Sequence, residues 1–200
     1  MQPKLINRRG LAAAVAALTA GVLAACGGSE PQKSGGPTQG SSAATAADRA
    51  FVEDMTAHHE SAVEMAAIAR KRAEHEEIKT LAADIARTQQ AEIEEMAGIA
   101  ESIGAKPGGA SSMHMSEGDM KTMEAGEPFD RMFIDMMIPH HQDAIRMANA
   151  TLEKGKNPEV SDLAERVIGA QSKEIEDMNE WRTEWYGKPS PAGGIPEGSS

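Results

Sequence analysis

Cysteine is close to absent from this chain. Of 200 residues only Cys26 is one, so no internal disulfide can form and no Cys-based zinc or iron–sulfur site exists. Aromatic residues are scarce too, with three Phe, two Trp and one Tyr. The core must therefore be built from Ala, Ile, Leu, Val and Met, a mixture that suits closely packed helices better than a sheet. Positive charge is the third shortage: 20 Lys and Arg face 31 Asp and Glu, a net charge of −11. Such a surface repels nucleic acid and anionic headgroups, which argues against either as a direct electrostatic partner. The N-terminal apolar run, Leu11 to Ala25, is too short for a membrane-spanning helix of the mature protein.

That run reads instead as part of an export signal. Lys4, Arg8 and Arg9 precede it and small residues close it, the order of a secretory signal peptide over residues 1–25. Leu23-Ala24-Ala25-Cys26 resembles the lipobox of bacterial lipoproteins. The resemblance implies that Cys26 becomes the acylated first mature residue, anchoring the protein on the extracytoplasmic face of the membrane. Arg8-Arg9 leaves general secretory and twin-arginine export both open. Removing residues 1–25 takes away three basic and no acidic residues, which leaves a mature net charge near −14. Residues 26–47, rich in Gly, Ser, Pro, Thr and Ala, read as a flexible tether, and residues 188–200 as a disordered tail. Between them, residues 48–187 amount to one domain.

Within that domain the chain repeats itself. Phe51, Met55, His58, His59, Ala62, Met65 and Ala66 recur as Phe133, Met137, His140, His141, Ala144, Met147 and Ala148, always 82 positions later. The register persists without a gap through Leu81-Ala82 and Leu163-Ala164, Gln89 and Gln171, Glu92-Ile93-Glu94 and Glu174-Ile175-Glu176, and Met96 and Met178. Repeat one covers residues 48–103, a Gly-rich connector 104–127, and repeat two 128–187.

Each repeat reads as a helical hairpin. Phe51, Met55, His58, Ala62, Met65 and Ala69 follow one seam of an amphipathic helix, and Ile78, Leu81, Ile85, Gln89, Ile93 and Met96 follow the next. Gly155 ends a helix, and Asn157-Pro158-Glu159 begins another as cap, first residue and acidic first turn. Ser116, with Asp119, caps a short helix in the connector. Two hairpins predict an all-α, up-down four-helix bundle. Pro139 stands where repeat one has Ala57 and is expected to kink its helix and free a carbonyl, making the two halves unequal.

The repeat also puts polar groups where a core should be apolar. Repeat one turns near His75, and His58 and Glu92 lie 17 positions to either side; repeat two turns near Asn157, with His140 and Glu174 placed alike. Each hairpin thus brings a His-His pair, a Gln, a Glu and several thioethers to one level. The first His of each pair should face inward and the second a neighbouring helix, because adjacent residues diverge by about 100°. Imidazole with thioether suits copper, Cu(I) above Cu(II), since soft thioethers match the softer ion. The expected ligands are His58, His59, Met55 and Met65 in one site and His140, His141, Met137 and Met147 in its partner. Gln89, Glu92, Met96, Gln171, Glu174 and Met178 stand behind them, the glutamates as acceptors that fix each imidazole tautomer. Met113, His114, Met115, Met120 and Met123 offer an accessory cluster in the connector. A carboxylate-bridged di-iron centre is disfavoured, because neither His-His helix carries a Glu three residues before a His.

Plainer readings attach to the same residues. Met at helical spacing fills gaps between small side chains, and a buried His bonded to Glu needs no metal. His75, in a Glu-rich turn, reads as solvated.

The doubled pattern Phe-x3-Met-x2-His-His-x2-Ala-x2-Met-Ala, with Gln-x2-Glu-Ile-x2-Met downstream, resembles the ferritin-like family catalogued as domain of unknown function 305. Gly126-Glu127-Pro128-Phe129-Asp130-Arg131 ahead of the second copy, and Trp181 and Trp185 near the end, fit the same family. The resemblance implies a four-helix fold and an envelope setting, with copper binding and resistance among some relatives. The function expected is lipid-anchored copper capture or buffering, with a copper transporter or oxidase as partner. The alternatives are a metal-dependent envelope oxidoreductase and a metal-free structural or interaction bundle.

Overall fold

The computed structural model describes residues 43–106 and 116–197, so Cys26, Met113, His114 and Met115 fall outside it. Five helices follow one another: α1 Ala46–Arg72, α2 Glu76–Ile103, α3 Glu117–Ala125, α4 Phe129–Lys154 and α5 Pro158–Tyr186. No strand occurs among the described residues, and no helix there is long and apolar enough to cross a membrane.

Local chemistry sets the helix ends. Thr45 opens α1 with a capping box to Asp48, Ser116 opens α3 through the Asp119 N–H, and Asn157 opens α5 through the Val160 N–H with Pro158 beside it. Gly104 and Gly187 end α2 and α5 at φ of 69° and 77°, in the left-handed region that glycine enters most easily. α4 runs as one helix through Pro139.

Three-residue turns, 73–75 and 155–157, fold α1 on α2 and α4 on α5. The hairpins meet chiefly through α1 and α4. Two aspartates lock that meeting. Asp48, at the start of α1, accepts from the backbone N–H groups of Lys156 and Asn157, at 3.1 and 3.3 Å, in the turn after α4. Asp130, at the start of α4, accepts from the N–H groups of Glu74 and His75, at 3.1 and 2.8 Å, in the turn after α1. Both carboxylates are buried. Helices whose starts touch each other's ends are antiparallel, so the two ends of the connector lie at opposite ends of α1. It leaves beside Glu53, which accepts from the Lys106 N–H at 2.9 Å, and arrives with Glu127 paired to Arg72 at 2.5 Å. The result is a ferritin-like four-helix bundle with one long crossover, and α3 lies in that crossover.

Two details depart from expectation. His75 is not simply solvated: its Nδ1 lies 2.6 Å from Asp130 and its ring stacks on Trp185 at 3.6 Å. The Asp130 clamp draws the turn inward and takes the ring with it. Nor does residue 188 begin a loose tail. Arg182, paired with Asp135, donates to the carbonyls of Lys188 and Pro189; Asn179 donates to Gly193 O, and Gln142 to Ala192 O and Gly194 O. Polar groups on α4 and α5 add to the few bonds that this Gly- and Pro-rich segment makes within itself, from the Ala192 and Gly193 N–H groups to Ser190.

Candidate metal centre

The centre of the bundle is a row of four imidazoles. His58 leaves α1 towards α4 and stacks on His140, with ring centroids 3.7 Å apart and planes 37° apart. His59, turned about 100° away, reaches α2, where its Nε2 is 2.8 Å from Glu92 Oε2. Repeat two copies this: His141 Nε2 is 2.7 Å from Glu174 Oε2 on α5. The two rings on each helix are 6.3 Å apart and tilted by 55° in both repeats. The order across the molecule is therefore Glu92, His59, His58, His140, His141, Glu174. Equal distance from the turn suggested that glutamate faces the first His of each pair. The second His takes it, because the helix rotation aims the first at the other hairpin.

These contacts select a tautomer for the neutral rings. A neutral imidazole has one N–H, and a carboxylate at Nε2 holds it there, which leaves a lone pair on Nδ1. Nδ1 of His59 and of His141 is buried without a hydrogen-bond partner, and so is Nδ1 of His58. Burial first, then the neighbouring imidazoles of His59 and His141, push the His58 imidazole from 6.5 down to about 3, against a hydrogen bond at the His140 backbone. It is a neutral donor at ordinary pH. Ser61 completes the layer: its hydroxyl donates to His58 O at 2.9 Å and lies 2.9 Å from His140 Nε2. Sequence reasoning missed Ser61, since repeat two has Asp143 there and the repetition gives no signal.

The structure regroups the methionines. Met55 and Met65 are ten residues apart on α1, about 15 Å along its axis, and cannot share one level. Antiparallel packing of α1 and α4 instead joins thioethers from opposite repeats. Met55 and Met96 are buried in one cluster, against which Met147 packs. Met65, Met137 and Met178 are buried in the other, joined by Met123 of α3 and flanked by Met120. Thr56 ties Met96 to α1 through a 3.6 Å contact to its sulfur. Gln89 and Gln171 are each only 2% exposed.

Among the described residues no three His, Cys, Asp or Glu side chains converge on one point. A shared ligand set would therefore draw on softer or neutral donors as well, and thioethers and amides are what the interior supplies.

The family model described as domain of unknown function DUF305 matches residues 48–182 and, through the repeat, 130–199. The structure of CopM in its Cu(I)-bound form is 40% identical with a TM-score of 0.64, covering 70% of this chain and 97% of that one. CopM has also been solved with Cu(II), at 39% identity and a TM-score of 0.65, and with silver. A DUF305 protein of Streptomyces coelicolor, described as secreted, is 27% identical with a TM-score of 0.65, over 72% of this chain and 96% of that one. An uncharacterized protein of Acanthamoeba polyphaga mimivirus is 38% identical over 50 residues, 25% of this chain; the chain spans 33% of that relative's length. The chain belongs to the DUF305 family.

Proposed function

We propose that this protein captures and buffers copper outside the cytoplasm, Cu(I) in preference to Cu(II), while tethered to the membrane through Cys26. The observation that carries the reading is the pair of buried Nδ1 atoms of His59 and His141 that have no hydrogen-bond partner, each ring carrying a carboxylate at its opposite nitrogen. A carboxylate behind an imidazole is the arrangement that orients a metal-binding histidine and raises its basicity. In a metal-free core it leaves a polar atom unsatisfied, at a cost of about 1–3 kcal/mol per group. His58 and His140 lie between these two donors. Met55, Met96 and Met147 flank the row as one soft set and Met65, Met137 and Met178 as another, with Met120 and Met123 beside the second. Thioether with neutral imidazole is a donor set for Cu(I). CopM, of similar fold, has been solved with Cu(I), Cu(II) and silver, and a relative is described as secreted, which supports both the ion and the compartment. A copper transporter or oxidase in the same membrane would deliver or receive the ion.

Thermal unfolding with Cu(I), Ag(I), Cu(II), Zn(II) or no metal tests the reading, beside a variant with His58, His59, His140 and His141 all changed to Ala. A ligand that binds only the folded chain at 100 times its Kd adds about 2.7 kcal/mol. A rise with Cu(I) and Ag(I) that the variant loses is the expected result. No shift with any metal would sink the copper reading.

A further inference from the structure

Gln89 and Gln171 are the least explained residues in the bundle. Both are buried, and neither the amide oxygen nor the amide nitrogen of either has a hydrogen-bond partner. An amide left so costs on the order of 1–3 kcal/mol, whereas leucine, of similar length, would cost nothing there. The repeat carries this apparent fault twice, 82 positions apart. Each Gln stands three residues, one helical turn, before the glutamate that holds an imidazole, so each Gln–Glu pair shares one helix face. The glutamate of each pair reaches the histidine row, where the Nδ1 atoms of His59 and His141 are also without a partner.

We propose that the amide oxygens of Gln89 and Gln171, each in its own half of the row, are ligands for the oxidised ion, so that they determine whether that half can hold Cu(II). The inference rests on the reading of the histidine row as a copper site. The chemistry divides by softness. Thioethers select Cu(I) and do little for Cu(II), which takes nitrogen and oxygen donors. One oxygen of each glutamate, Oε2, is engaged at an imidazole Nε2, and one helical turn before it the glutamine carbonyl is a neutral buried oxygen with no partner. With the imidazoles they complete a nitrogen and oxygen set, while the imidazoles and methionines remain for the reduced ion. No electron transfer is required: the same row accepts whichever ion arrives.

The test compares the intact chain with Gln89→Leu/Gln171→Leu and with Gln89→Glu/Gln171→Glu. Leucine removes the oxygen along with an unsatisfied group, so the metal-free leucine variant should fold and melt no lower than the parent. Cu(II) affinity, by competition with a chelator, should fall at least tenfold in the leucine variant, with a changed Cu(II) electron paramagnetic resonance spectrum. Ag(I) affinity should stay within about twofold, and the glutamate variant should recover Cu(II) binding. Unchanged Cu(II) affinity and spectrum in the leucine variant would overturn the proposal, the more so if its metal-free melting temperature fell, since the amides would then be satisfied within the fold. Loss of Ag(I) together with Cu(II) would overturn the assignment to the oxidised ion. A parent chain that binds neither ion would overturn the copper reading and this inference together, whereas a parent that binds Ag(I) alone would overturn only the inference.

Discussion

Asp48 and Asp130 hold equivalent places in the two repeats, and each closes the turn of the hairpin to which it does not belong. Burial raises the Asp48 carboxyl, but hydrogen bonds from Thr45, Lys156 and Asn157 together outweigh it and hold the group below its ordinary value. Exchange for Asn keeps the shape but removes the charge. Hydrogen bonds to charged groups contribute about 1.5–3 kcal/mol each, partly shared within one cluster. Asp48→Asn and Asp130→Asn should each lower stability in urea unfolding by about 2–3 kcal/mol. The clamps sit at opposite ends of the bundle, so the double variant should be additive to about 0.5 kcal/mol. A loss below 1 kcal/mol in both would show that the helices align without them.

Gly155 depends on the same clamp. Its φ of −71° suits any residue, but a Cβ there would run into the Asp48 carboxylate and the Thr151 carbonyl. Gly155→Ala should therefore destabilise the chain by about 1–3 kcal/mol, the ordinary cost of overpacking. Added to Asp48→Ala it should cost less than it does alone, because the nearer obstruction is gone and only the Thr151 carbonyl remains. Strict additivity in that double-mutant cycle would count against the contact.

Much of the fold was legible because hydrophobic period and caps are local. The hairpins, the Asn157 and Ser116 caps and the stop at Gly155 need only a few consecutive residues. The grouping of the site was not legible, because it depends on how the hairpins dock. Antiparallel α1 and α4 bring His58 to His140 and Met55 towards Met147, which spacing within one repeat cannot show. The clamps left a trace that could have been read: Asp48 and Asp130 keep the 82-residue offset, three positions before Phe51 and Phe133. Ser61 left none.

The histidine row makes metal-free stability depend on pH. The His58 imidazole titrates near 3 when folded and near 6.5 when unfolded. Above pH 6.5 both states are neutral there and the full stability is present. As pH falls from 6.5 towards 3, the unfolded chain binds a proton that the folded chain refuses, and stability is lost progressively, by a few kcal/mol in all. His58→Leu should flatten the urea stability profile between pH 6.5 and 4. An unaltered slope would place the titration elsewhere.

The C-terminal strap breaks the symmetry of the repeats. Gln142 donates to Ala192 O at 3.0 Å and Gly194 O at 2.6 Å, while the equivalent residue in repeat one, Glu60, is exposed. Gln142→Ala should release the segment after Pro189 without melting the bundle, because α5 keeps its own contacts. Amide hydrogen exchange of residues 190–195 should quicken at least tenfold, with the melting temperature within about 2 °C of the parent. Unchanged exchange would mean that Asn179 and Arg182 hold the strap without help.

The carboxylates behind the imidazoles give the sharpest test of how the site works. Glu92→Gln keeps size and reach, but an amide can either accept from Nε2 or donate to it, so it no longer fixes the His59 tautomer. Whenever it donates, the proton moves to Nδ1 and the donor lone pair is lost. Groups in this position typically change metal affinity 10- to 100-fold. Glu92→Gln and Glu174→Gln together should weaken Ag(I) or Cu(I) binding by about that factor while leaving the metal-free fold intact by circular dichroism. Each single change should weaken it less, since the partner half of the row keeps its carboxylate. If the double variant bound as tightly as the parent, His59 and His141 would not ligate through Nδ1, and the soft methionine clusters on either side of the row would have to hold the ion with His58 and His140 alone.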